Sequence, residues 1–83
     1  MRPEDVLPDD QNQTTRDGVV IRKGSVGAFL VNARAWCDPQ TEAAQHQIAE
    51  KDLLELLPAL RALGLFEVFS IRDVALQRLV EAH

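Results

Sequence analysis

Residues 22–27 read Arg-Lys-Gly-Ser-Val-Gly and have the composition of an anion-binding helix start. Two bases precede what we predict to be the first turn of a helix, where unpaired backbone N–H groups attract negative charge. The glycines would let a phosphate or a carboxylate approach the backbone closely. The alternative is an ordinary helix start in which Ser25 is the N-cap and the bases are solvated. The candidate anion-binding residues are Arg22, Lys23, Gly24, Ser25, Gly27 and, farther along the same helix, Arg34.

Cys37 and His46 could in principle supply a nucleophile and a metal ligand. A reactive cysteine needs a nearby base or a helix N-terminus, whereas Cys37 falls near the end of a predicted helix and on its apolar face. We therefore expect a buried, inert thiol. His46 shares one helical face with Glu42 and Glu50, which is typical of a solvated polar face and is too few ligands for a zinc site. The sequence thus predicts no catalytic residue, no metal site and no cofactor, and hence a protein that is not an enzyme.

The composition predicts one small domain that is not a nonspecific binder of nucleic acid. The chain has 83 residues, of which 46% are hydrophobic, which is too apolar for a disordered chain and too short for two domains. Nine bases against thirteen acids give a net charge of −4. Residues 16–37 are the basic exception, with four bases and one acid. Because phosphate neutralisation drives nonspecific binding to nucleic acid, the overall charge disfavours that partner.

The sequence carries no sign of secretion or of membrane insertion. Cys37 is the only cysteine, so no disulfide can form within the chain. The first residues lack the apolar core of a signal peptide, and the longest run without a polar residue, 26–31, is far shorter than a membrane span. We expect a soluble cytoplasmic protein with no membrane partner.

The apolar spacing predicts a mainly α domain of three to four helices around a central helix, residues 25–37. In that helix the larger side chains fall on one face and small ones on the opposite face, so neighbours on two sides are expected. A second helix should run from Thr41, as its N-cap, to Leu63, with Gly64 ending it. Pro58 inside it predicts either a kink or two abutting helices.

The last helix and a short ribbon complete the predicted fold. Ser70 and Asp73 are spaced as a capping box, so the last helix should begin at Ser70. Asp17-Gly18 is a turn signal and residues 19–22 are β-branched, which predicts a strand. Its expected partner in a two-stranded ribbon is residues 66–70, the alternative being that these form a buried loop. Residues 1–18 are predicted to be a flexible acidic arm and residues 19–83 the domain.

Two functions from different classes are compatible with this reading. Apolar residues beyond those a small core needs predict a protein-interaction or adaptor module, which associates with itself as a homodimer or with another protein. The candidate interface residues are Leu54, Leu76 and Val80. The alternative is a binder of an anionic ligand, a nucleic acid or a phosphorylated metabolite, at residues 22–27.

Overall fold

The computed structural model describes Arg2, residues 13–16 and residues 18–83, and within them the chain is mainly helical, as predicted. Two strands precede the helices, and the helical part packs around one apolar core. In chain order the elements are β1 (Gln13–Arg16), β2 (Val19–Arg22), α1 (Ser25–Cys37), α2 (Ala43–Leu63), α3 (Leu65–Val68) and α4 (Val74–Glu81). No helix within the described residues is long and apolar enough to cross a membrane.

The two strands form an antiparallel hairpin with only residues 17 and 18 between them. Thr15 pairs with Val20, and the backbone of Gly18 has a φ of 77°, in the left-handed region that such short hairpin turns use. The strand at 19–22 is therefore confirmed, but its predicted pairing with 66–70 is wrong. Pairing across two residues closes a much shorter loop than pairing across the whole helical part, so the local partner costs less entropy.

The hairpin also overlaps the predicted acidic arm of residues 1–18. Residues 13–16 of that segment form β1 and Gly18 lies in the turn. Apart from Arg2, the rest of the arm lies outside the described residues. The division of the chain into an arm and a domain therefore stays a prediction. Strand β1 falls within the predicted arm but is part of the folded hairpin.

Helix α1 has the predicted bounds and packs against α2 with one face. Phe29 and Ala33 are buried and Trp36 is half-buried on that face. The predicted cover on the opposite side is not found, because Gly27 and Val31 are exposed. One long side of α1 is therefore open to solvent.

Helix α2 runs without interruption through Pro58, which excludes the predicted alternative of two abutting helices. The proline ring is exposed, so its missing N–H leaves a gap on the outer side of the helix and not in the core. Leu53, Leu57 and Leu60 are fully buried on the inner side. The helix ends at Gly64, as predicted.

Helix α2 begins at Ala43, later than predicted, because Thr41 has another role. Its hydroxyl donates a hydrogen bond to the carbonyl of Ala35 in the last turn of α1, with 2.7 Å between the oxygens. The side chain of Asp38 accepts a bond from the amide of Gln40. The short connection is thus held to the end of α1, and Thr41 does not cap α2.

Residues 65–73 form a single helical turn, α3, and an extended connection to α4. Helix α4 begins at Val74 and not at Ser70, because Asp73 is itself the N-cap and accepts a hydrogen bond from the amide of Leu76 at 2.9 Å. Ser70 is exposed and caps nothing, so the predicted capping box is wrong. At the far end, the guanidinium of Arg61 donates to the carbonyls of Val80 and His83 and fixes α4 to α2.

Candidate interaction groove

An apolar groove of about 640 Å³ lies between α1 and the connection formed by residues 65–73. The edge of α1 beside the face that packs on α2 forms one wall. The short turn α3 and the residues that follow it form the other. The lining includes Val26, Phe29, Leu30 and Arg34 on α1, and Phe66, Phe69 and Arg72 on the opposite wall.

The floor of the groove belongs to the core. The rings of Phe29 and Phe66 meet edge to face, with 6.0 Å between their centroids and 67° between their planes. Phe29 is only 4% exposed and packs with the buried leucines of α2. Because these rings are fixed by core packing, the groove is already formed without an occupant, as is usual for binding sites.

The walls are apolar but open to solvent. Leu30 is 56% exposed and Phe69 is 65% exposed, and Val26 is exposed as well. Single exposed apolar residues are common, but several that lie together along one concave surface are typical of a place where another molecule binds. Covering them would release apolar surface from water at about 25 cal/mol per Å².

The charged groups at the rim have unequal roles. The carboxylate of Asp73 is negatively charged, accepts a hydrogen bond from the amide of Leu76 and lies beside Cys37. Arg34 and Arg72 are exposed, and neither guanidinium has a hydrogen-bond or ion-pair partner in the part of the chain that the structure describes. Two arginines and one aspartate therefore give the rim a net positive charge.

The predicted anion site is not assembled as expected. Gly24, with a φ of 88°, is the N-cap of α1, and the hydroxyl of Ser25 is buried and donates to the carbonyl of Arg22 at 2.8 Å. The prediction that Ser25 is the N-cap is therefore wrong. A depression of about 390 Å³ beside Arg22 and Ser25 is also lined by Glu55, whose carboxylate would repel an anion.

The other predicted anion-binding residues are dispersed. Lys23, Gly24 and Gly27 are exposed at the start of α1, and a Cβ placed on either glycine would meet nothing within 4 Å. Arg34 lies nine residues after Ser25, about 13 Å farther along the helix axis. It lines the apolar groove instead.

Cys37 lies at the end of α1 beside Asp73 and is exposed, so its predicted burial is wrong. The pKa of its thiol is raised above the usual value. Partial burial of the thiol contributes most, followed by the negative charge of Asp73 and by the hydrogen bond between the two side chains. All three favour the protonated thiol, which is a poor nucleophile.

Replacing Asp73 with asparagine is expected to lower the pKa of the Cys37 thiol and to speed its alkylation below that pKa. Asparagine caps helices as well as aspartate does, so α4 keeps its N-cap while the charge is removed. The rate of alkylation by iodoacetamide across a pH series, compared between the native chain and Asp73→Asn, measures the shift. Identical pH profiles of the two chains would contradict the contact between Asp73 and the thiol. The urea-unfolded chain, in which this contact is lost, gives the reference profile.

Trp36 contacts His46 and Glu50, two of the three residues that share a polar face of α2. Its indole N–H donates to Glu50 at 3.0 Å, and the imidazole of His46 stacks on the indole with 5.0 Å between centroids. His46 and Glu50 therefore join α2 to α1. Within the described residues, no three His, Cys, Asp or Glu side chains are grouped so that they could hold a metal ion.

Two of the three predicted interface residues do not lie at the surface. Leu76 and Val80 are buried in the core of the single chain, so the prediction that they face another protein is wrong. Leu54 is half-buried and also packs against the core. The exposed residues that the sequence reasoning missed are Leu30 and Phe69. A usable signal was the dense apolar run of residues 65–69, which holds more apolar side chains than one helical turn can bury.

No known protein family matches this chain, and neither does any curated protein or any solved structure. The function has therefore to be argued from the groove and its rim.

Proposed function

We propose that the chain is a small, non-enzymatic protein-interaction module and that the groove between α1 and residues 65–73 is its contact surface. The observation that carries the proposal is the exposure of Leu30 and Phe69 along one preformed apolar groove. A chain of 83 residues buries a modest fraction of its apolar surface, so leaving two large side chains in water costs it stability that a partner would restore.

The partner is another protein or a second copy of this chain, and one substitution tests both. Leu30→Asp places a charge on the groove wall, whereas Val31→Asp places the same charge on the neighbouring residue, which is 69% exposed and does not line the groove. Both changes lie on the surface of α1, so the fold should persist in both variants.

The native chain, Leu30→Asp and Val31→Asp would each be tagged and purified from the native host, and their masses measured by light scattering over a range of concentrations. We expect a protein, or a second copy, that accompanies the native chain and Val31→Asp but is lost from Leu30→Asp. Circular dichroism of the three chains controls for folding. The proposal fails if the native chain is a monomer with no companion, or if both substitutions have the same effect.

A cytoplasmic location remains part of this proposal. The alternative function, an anionic ligand at residues 22–27, has less support, because the Ser25 hydroxyl is engaged with the backbone and Glu55 lines the same depression. We therefore do not propose it as a second function.

A further inference from the structure

We propose that the occupant of the groove is a short amphipathic helix of another protein, with acidic residues beside its apolar face. This inference rests on the proposed function, since it names the partner chemistry for the same groove. It is carried by two observations that are independent of each other, the apolar lining and the unpaired arginines of the rim.

The lining favours a helix over an extended peptide. Apart from its rim the groove is lined almost entirely by apolar side chains, and neither strand of the hairpin lies along it. An extended peptide would leave its backbone N–H and C=O groups without partners there, whereas a helix satisfies its own. The wall on α1 from Val26 to Arg34 is about 12 Å long, or two helical turns, which suits apolar residues spaced i, i+3 or i+4, and i+7.

The rim favours acidic flanks on that helix. Arg34 and Arg72 lie on opposite walls, and each is exposed without a partner in the described part of the chain. Carboxylates on either side of the apolar face of an occupant would lie close to them. Each exposed pair of this kind adds only modest affinity, but the attraction of carboxylates and the repulsion of ammonium groups at two arginines together favour an acidic partner over a basic one.

A second copy of this chain fits the rim less well. In a symmetric pairing, the same surface meets itself, so two rims of net positive charge would be brought together. Like charges brought together at an interface oppose association. The occupant of the groove is therefore a different protein and not a second copy.

Two synthetic helical peptides of sixteen residues test the inference. Both carry leucines on one face, and they differ only in the flanking residues, which are all glutamate in one peptide and all lysine in the other. Each is titrated into the full chain labelled with ¹⁵N, in native form and as the double variant Arg34→Glu, Arg72→Glu. The amides of Leu30 and Phe69 report on the groove, and that of Ile48, which is exposed on α2 and does not line the groove, reports on another surface.

We expect the native chain to bind the glutamate peptide about tenfold more tightly than the lysine peptide, and the double variant to reverse that preference. Equal affinities for the two peptides, with groove shifts that Leu30→Asp abolishes, would overturn the acidic partner and leave the proposed function standing. Absence of groove shifts with both peptides would overturn the helical occupant, while the proposed function is judged separately by co-purification. A native chain that dimerises through Leu30 would overturn the inference in favour of a second copy.

Discussion

Replacing Leu53 with alanine is expected to lower the free energy of unfolding by about 2–5 kcal/mol. Leu53 is fully buried on α2, in the cluster that also holds Phe29 and Leu57. Removing its branched end takes away the transfer energy of the lost carbons and leaves a cavity that rigid neighbours fill only in part. Small domains have total stabilities of about 5–15 kcal/mol, so the loss is a large share of the whole.

Urea unfolding followed by the fluorescence of Trp36, the only tryptophan, measures this loss. Ile48→Ala is the matched control, because Ile48 lies on the same helix and is exposed, and its replacement should change the stability by less than about 0.5 kcal/mol. If the two substitutions lowered the free energy of unfolding by similar amounts, Leu53 would not lie on the inner face of α2 and Ile48 on its outer face.

The buried face of α2 was largely predictable from spacing alone. Ala49, Leu53, Leu56, Leu60 and Leu63 follow one another at alternating spacings of four and three residues, a pattern that predicts the face in contact with the core. Three of these five residues are buried, and Leu56 and Leu63 are half-buried. Leu57 was missed, although it is among the most buried residues. Periodicity locates a stripe but not its width, and the width depends on how the neighbouring helix crosses.

The ends of elements were predicted less well, because several residues could satisfy the same backbone groups. At the start of α1 both Gly24 and Ser25 are acceptable N-caps, and the left-handed backbone of Gly24 decides between them. Before α4, Ser70 and Asp73 compete in the same way, and Asp73 takes the role. These choices follow from the path of the preceding chain, which the local sequence does not specify.

The wall of the groove on α1 could not be predicted, because which of two adjacent apolar side chains is buried depends on competition for a limited core. Leu30 follows Phe29 on the predicted apolar face of α1, and nothing in the sequence shows which of the two side chains is buried and which is exposed. The structure gives Phe29 the contact with α2 and with Phe66, and leaves Leu30 on the wall. Since α3 is only one turn long, it covers the edge of α1 incompletely.

Phe29 and Leu30 differ in burial, so their replacement should lower the stability by different amounts. Phe29→Ala should lower the free energy of unfolding by about 3–5 kcal/mol, because it removes a ring that is 4% exposed and breaks the edge-to-face contact with Phe66. Leu30→Ala should cost less than about 1 kcal/mol, because most of that side chain is already in water.

Urea unfolding of the two alanine variants, each as a dilute monomer, makes the comparison without any partner. A large loss of stability at Phe29 and a small loss at Leu30 are expected, because the first side chain is buried in the core and the second is exposed to solvent. Similar high costs at both positions would mean that Leu30 is covered within the single chain. The groove would then be closed, and the surface on which the interaction proposal depends would not exist.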